Sequence, residues 1–170
     1  PCVVRIYPLR LSRERVVYHA RADKAPSQPW YFAMEHITGG GLDSHIARLA
    51  HLSVAWRTEL FYQLLVAVHF IHRAGFTHCD LKPENILLRE NPRMDRLPQP
   101  VLVDFGSASP IGRRRNLTHT PHYAPPEVIR AAADPQNRDL RAPEMLPPDK
   151  ADIWALGAIY YELLTGVPLI

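Results

Sequence analysis

The chain has 170 residues, 46% of them hydrophobic and 22% charged, the composition of a globular domain with enough apolar side chains for one core. Its formal net charge of +3 is modest, and apart from Arg113-Arg114-Arg115 the basic residues are dispersed, so no nucleic acid is expected among its partners. Two cysteines without a Cys-x-x-Cys pair, Cys2 and Cys79, argue against a disulfide framework or a structural zinc site. They favour an intracellular, reducing setting, cytoplasmic or nuclear.

Val3-Val4-Arg5-Ile6-Tyr7 is rich in β-branched and aromatic residues and predicts a strand. Arg15 to His19 predicts a second, and Trp30 to Glu35 a third after the turn-rich Ala25 to Pro29. Gly39-Gly40-Gly41 closes this β-rich part. It opens no strong helix, so it reads as a flexible exit rather than a phosphate cradle.

From Val54 to Arg73, Leu60, Phe61, Leu64, Leu65, Val68 and Ile71 recur at helical spacing, and Gly75 stops the helix. Ile86-Leu87-Leu88 and Val101-Leu102-Val103 predict a hairpin with a long polar connection. Residues 106–150 read mainly as loop, with a short helix near Glu127 to Ala133. Much of the chain's 17-residue proline complement falls in such loops, at 26–29, 92–100, 121–126 and 143–148. A last helix is predicted from Lys150 to Thr165, closed by Gly166 and Pro168. Its apolar run contains Glu162, which favours a helix buried in a globular core over a membrane span.

The chemistry is concentrated in Phe76-Thr77-His78-Cys79-Asp80-Leu81-Lys82-Pro83-Glu84-Asn85-Ile86-Leu87-Leu88. Asp80, Lys82 and Asn85 sit in a loop between a long helix and a hairpin. They supply a carboxylate to orient and deprotonate a hydroxyl, an ammonium for phosphate charge, and an amide oxygen for a metal. The hairpin returns to Asp104-Phe105-Gly106, a second carboxylate beside a glycine expected to let the backbone turn sharply. Phosphoryl transfer needs mainly positioning and charge neutralisation, and these groups supply much of both.

On these motifs the chain resembles the protein kinase family. His78 to Asn85 is similar to its catalytic loop, and Asp104-Phe105-Gly106 to its metal-binding motif. The resemblance implies Asp80 as catalytic base, Lys82 on the γ-phosphate, and Asn85 and Asp104 on Mg2+. Lys82-Pro83-Glu84-Asn85 resembles the serine/threonine branch. Thr120 to Glu127 resembles the end of an activation segment, with Thr120 contacting Asp80 and Lys82. Asp152-Ile153-Trp154-Ala155-Leu156-Gly157 resembles the start of the central helix, whose Asp braces the catalytic loop. Upstream, Phe32 to Ile37 resembles the strand and hinge that hold adenine, with Met34 as gatekeeper and the backbones of Glu35 and Ile37 bonding the purine. Leu42, Leu87, Ile159 and Leu163 would form the apolar column under adenine, and Ile6, His78 and Phe105 a parallel one.

The implied fold is α+β, a mostly helical large lobe at residues 38–170 with a truncated β-rich small-lobe remnant and hinge at 1–37. The implied function is transfer of the ATP γ-phosphate to Ser or Thr of protein substrates, with no membrane partner. No glycine-rich loop or strand lysine is present in these residues, and the chain stops after the central helix. It is therefore expected to be incomplete at both ends, weak or inactive by itself, with exposed apolar faces and Glu127 unpaired. The rival readings are a pseudokinase acting as a binding or scaffold module, and a basic nucleic-acid-binding protein, which leaves the motif order unexplained.

Cys79 stands where the family usually has arginine, which places phosphorylation control of the activation segment in question. It reads as a small residue at a variable position rather than a redox site. His69 and His72 lie three apart on a helix, with no carboxylate near them in sequence to complete a metal set. Arg113 to Arg115 reads as a solvated loop, and Ala131 to Lys150 as a surface insertion. A second Ala-Pro-Glu at 142–144 competes with Pro125-Pro126-Glu127 for the activation-segment role; spacing from Thr120 favours the first.

Overall fold

The computed structural model describes residues 2–10, 12–13, 16–21, 30–90, 97–112, 120–133 and 148–170. The arginine run, the second Ala-Pro-Glu and most of the expected insertion lie outside the described residues.

Short strands occupy the first part of the chain: β1 (Ile6–Tyr7), β2 (Leu9–Arg10), β3 (Val16–Val17), β4 (Ala20–Arg21), β5 (Trp30–Tyr31) and β6 (Ala33–Met34). They pair antiparallel as β1 with β6, β2 with β3 and β4 with β5. Two sequence expectations change here. The strand expected over Val3 to Tyr7 is split, because Val3 bridges Leu102 and the Val4 N–H donates to the Leu102 carbonyl, leaving only Ile6 and Tyr7 for β6. The strand expected over Trp30 to Glu35 breaks at Phe32 and serves two different partners.

A tight turn at Leu42–His45 leads into α1 (Ile46–Leu49), a helical stretch too short to show a period in the sequence. α2 (Val54–Arg73) has the bounds its periodicity predicts. Ser53 caps its start by accepting from the Trp56 N–H, and Gly75 ends it at φ +85°, a conformation that side chains with a Cβ rarely adopt. β7 (Phe76–Thr77) follows, then β8 (Ile86–Arg89) and β9 (Gln99–Leu102), the expected hairpin, with Ile86 opposite Leu102 and Arg89 opposite Gln99. β10 (Ser109–Pro110) pairs with β7, α3 spans Pro126–Ala133, and α4 spans Pro148–Thr165.

The core lies where α2, α4 and the β8–β9 hairpin meet. Leu60, Leu64 and Val68 of α2, Leu156, Ile159 and Leu163 of α4, and Ile86, Leu88 and Leu102 of the hairpin are buried together. Each such aliphatic side chain withdrawn from water contributes about 1.5–3 kcal/mol, so this cluster dominates the stability of the fold. Arg57 ties the two helices at one end, its guanidinium donating to the Leu163 and Leu164 carbonyls at the C-terminus of α4. Both helices also present large apolar side chains outward, notably Tyr62 and Phe70 of α2 and Ile153 of α4. Among the described residues no helix is long and apolar enough to cross a membrane.

Candidate functional site

The site is built on the segment between β7 and β8, beneath which α4 begins. The buried Asp152 carboxylate accepts the backbone N–H of His78 at 2.8 Å and that of Cys79 at 2.9 Å. It also meets His72 Nε2 at 2.8 Å, from the last turn of α2. His72 has no carboxylate near it in sequence; the fold supplies one from 80 residues further along. The His78 ring is buried, hydrogen-bonded through Nε2 to the Val103 carbonyl and set 4.9 Å from the Phe105 ring. These contacts fix the loop from below, with Asp80 partly exposed above them.

Above that base, three side chains close a ring. Lys82 Nζ lies 2.9 Å from Asp80 Oδ2 and donates to Thr120 Oγ1 at 3.2 Å, while the Thr120 hydroxyl donates to Asp80 Oδ1 at 3.2 Å. Both oxygens of the Asp80 carboxylate are thus engaged, one by a cation and one by a hydroxyl. Asn85 joins the group by donating Nδ2 to the Asp80 carbonyl at 2.8 Å and to Oδ2 at 3.2 Å. With its nitrogen committed, the Asn85 side-chain oxygen is left for another partner.

Asp104 stands next to Asn85 because the Val103 N–H donates to the Asn85 carbonyl at the end of the hairpin. Its backbone is left-handed, φ +58°, and its Oδ1 accepts from the Gly106 N–H at 3.2 Å. The sharp turn expected at Gly106 is therefore made by Asp104 instead, and an aspartate held in that conformation carries local strain of the kind that gathers at working sites. Cys79 is the other non-glycine residue with positive φ among those described, +66°. Its Sγ lies 3.0 Å from Thr77 Oγ1, and it packs against the buried Ala124 and Val128.

The predicted adenine-side residues are spread more widely. Leu42, Ile159 and Leu163 are fully buried in the core, whereas Leu87 is half-buried, opposite Gly41. Ile37 is buried and Glu35 half-buried, its N–H donating to the Arg5 carbonyl. Met34 is more exposed, and with Ile6, Phe32, Asp104 and Phe105 it lines a cleft of about 540 Å³. Glu35, Ile37, Leu42 and Leu87 do not line that cleft. Gly39 and Gly40 are not a free exit either. A Cβ at Gly39 would stand 2.0 Å from the Leu88 carbonyl oxygen, and the Gly40 carbonyl accepts the Leu88 N–H at 2.8 Å.

In two further side-chain partnerships, nothing in local sequence identifies the partner. Tyr123 donates its hydroxyl to Glu162 Oε2 at 2.7 Å, which ties the segment after Thr120 to α4. Burial, followed by the bond to Glu162 and its negative charge, holds the phenol protonated far above its ordinary range. A charge inside an apolar helix was the available signal, since a buried carboxylate requires a partner. Glu35 and Arg89, at 2.8 Å, are the second pair. Glu127 makes no ion pair with any described residue.

Comparison with known proteins agrees with this geometry. The family model described as Protein kinase domain matches residues 9–170. The chain is 33% identical over 172 residues to CBL-interacting protein kinase 10 of Oryza sativa subsp. japonica, covering 98% of this chain and 31% of that protein. It is 32% identical to CBL-interacting serine/threonine-protein kinase 8 of Arabidopsis thaliana, with the same two coverages. It is 36% identical over 140 residues to serine/threonine-protein kinase dkf-2 of Caenorhabditis briggsae, covering 80% of this chain and 10% of that protein. The chain thus spans about a third or less of the length of these relatives. With the family model matched along nearly its whole length, and helices and small antiparallel sheets arranged around the Asp80 loop, the chain belongs to the protein kinase family.

Proposed function

We infer that the protein containing this chain transfers the γ-phosphate of ATP to serine or threonine hydroxyls of protein substrates. Residues 1–37 would belong to the smaller lobe and hinge, and residues 38–170 to the larger lobe. The observation that carries the reading is the closed ring of Asp80, Lys82 and Thr120. A carboxylate with one oxygen against an ammonium and the other against a hydroxyl is held in one orientation while staying partly exposed.

In this reading the substrate hydroxyl oxygen forms a bond to the γ-phosphorus while the bond from that phosphorus to the bridging oxygen breaks, releasing ADP. The hydroxyl proton passes to the Asp80 carboxylate. Lys82 neutralises charge on the transferring group, and Thr120 keeps the Asp80 plane aimed at the incoming hydroxyl. Met34, Leu42, Leu87 and the backbones of Glu35 and Ile37 would serve the adenine side.

The donor set fits magnesium. Asn85 offers an amide oxygen whose partner nitrogen is already engaged, and Asp104 offers a carboxylate beside it. Among the described residues no group of three or more His, Cys, Asp or Glu could hold a metal alone. A sparse pair of oxygen donors suits an ion that keeps waters and takes further ligands from phosphates. When bound, magnesium supplies charge neutralisation on those phosphates. The names of the plant and nematode relatives support the serine/threonine class.

The test is phosphate transfer from radiolabelled ATP by the full-length protein to serine- and threonine-containing peptides, with and without magnesium. Transfer should fall at least about a hundredfold in Asp80→Asn, the scale of a lost general base. Absence of magnesium-dependent nucleotide binding in the full-length parent would instead favour the scaffold reading.

A further inference from the structure

The segment from Glu35 to Gly40 is attached at both ends to adjacent residues of one strand. At its far end Gly39 abuts the Leu88 carbonyl, and the Gly40 carbonyl takes the Leu88 N–H. At its near end Glu35 Oε1 meets Arg89 Nη2 at 2.8 Å. The same Oε1 accepts the Arg5 N–H at 2.9 Å, while the Glu35 N–H donates to the Arg5 carbonyl at 3.0 Å. Glu35 is therefore clasped to the residue preceding β1 by two bonds and to β8 by a third. Arg89 in turn is steadied by Gln99 across the hairpin, Nη1 to Oε1 at 2.5 Å.

Nothing in the Asp80 chemistry uses Arg89, whose guanidinium bonds Glu35 and Gln99. The side chain is half-buried, with more than two thirds of its surface covered. Two opposite charges in that setting interact more strongly than a fully solvated pair, and a guanidinium shared between Glu35 and Gln99 has a defined direction. Burial tends to raise the Glu35 pKa, but the Arg5 N–H and the Arg89 charge outweigh it and hold the carboxyl below its ordinary range. Glu35 is therefore ionised at neutral pH.

We propose that Arg89 is a positioning residue: through Glu35 it sets the backbone of residues 35–37, and so the affinity of the protein for a purine nucleotide, without taking part in phosphate transfer. This rests on the nucleotide-binding reading above and adds to it a residue that touches neither nucleotide nor substrate. Without Arg89 the near end of this segment, held to Arg5 but no longer to β8, would be free to shift together with Arg5 relative to that strand. The Arg89 tether removes that freedom before the nucleotide arrives, which lowers the ordering cost of binding.

The experiment compares full-length parent, Arg89→Ala, Arg89→Lys, Glu35→Gln and the double variant. Amide hydrogen exchange at residues 35–37 is measured without nucleotide, ADP affinity by titration, and kcat and KM for ATP by initial rates. Arg89→Ala should speed exchange at 35–37 and raise both the ADP Kd and the ATP KM about fivefold, with kcat within about twofold. Arg89→Lys should recover most of the affinity, and the double variant should bind no more weakly than the weaker single. Unchanged exchange in Arg89→Ala overturns the tether. Faster exchange with unchanged affinity overturns the positioning role, as does a kcat loss matching the KM change. A parent that binds no nucleotide, with exchange still responding to Arg89, would sink the functional reading and the positioning role while leaving the tether in place.

Discussion

Asp152 accepts a hydrogen bond from the backbone N–H of Cys79 at 2.9 Å across 73 residues of chain, and Cys79 is held there at φ +66°. A left-handed cysteine has no intrinsic reason to persist, so the bond and its companion from His78 are what keep the loop in shape. Asp152→Asn replaces one accepting oxygen by an NH2 group that must face a donor. The expected loss is about 1–3 kcal/mol of stability, the cost of a buried donor left unsatisfied. Urea unfolding measures it, and faster exchange of the His78 and Cys79 amides should accompany it.

Thr120 is a test of orientation rather than of chemistry. Thr120→Val keeps the volume but removes the hydroxyl that bonds both Asp80 and Lys82. A drop in kcat of about three- to tenfold is expected, the worth of one ordinary hydrogen bond, with the ATP KM unchanged. Thr120→Ser should restore the rate. Equal rates in Val and Ser variants would remove Thr120 from the site.

Gly39 is required by a neighbour and not by its own φ. In Gly39→Ala the added carbon would stand 2.0 Å from the Leu88 oxygen, and both groups are backbone, so neither can rotate away. A loss of about 1–3 kcal/mol is expected, typical of overpacking, read as a lower urea midpoint. Gly40→Ala serves as a contrast, because at φ +75° the added carbon meets only the His45 and Ser44 side chains at an ordinary 3.8 Å and the strain is in the backbone.

Acid should expose the Glu35 contribution. Its carboxyl is held below the ordinary value of 4.5, so the folded state binds the proton less readily than the unfolded chain. The stabilisation is complete above the unfolded pKa and disappears as pH falls through the folded one. The stability difference between parent and Glu35→Gln should therefore be level from pH 7 to about 5.5 and shrink below about 4.5. Thermal unfolding across that range checks it; a difference that grows on acidification would reverse the assigned sign.

What the sequence made legible follows from distance along the chain. Asp80, Lys82 and Asn85 fall within six residues, so their shared chemistry is visible before any fold is known. The bounds of α2 were readable because its apolar residues from Leu60 to Ile71 recur at helical spacing and Gly75 stops it, whereas the Ser53 cap emerged only in the fold. Each of the three strands expected near the start contains observed ones, but their division into two-residue pairings such as β1 with β6 and β4 with β5 carries no period to read. Glu35 with Arg89, His72 with Asp152 and Arg57 with Leu163 join residues 54 to 106 positions apart, and no local rule selects one distant partner over another. At Cys79 the residue type was misleading: its importance lies in the backbone, where the side chain says little.

The dependence of His78 and Cys79 on Asp152 has a consequence for how the protein is made. A ribosome adding about 5–20 residues per second reaches Asp152 roughly 4–15 s after Cys79. Through that interval Asp80, Lys82 and Asn85 are already in the chain, but the carboxylate that receives the His78 and Cys79 N–H groups is missing. Newborn chains would therefore pass through a stage in which the left-handed turn at Cys79 lacks its carboxylate support, and a polypeptide released early from the ribosome would be left there.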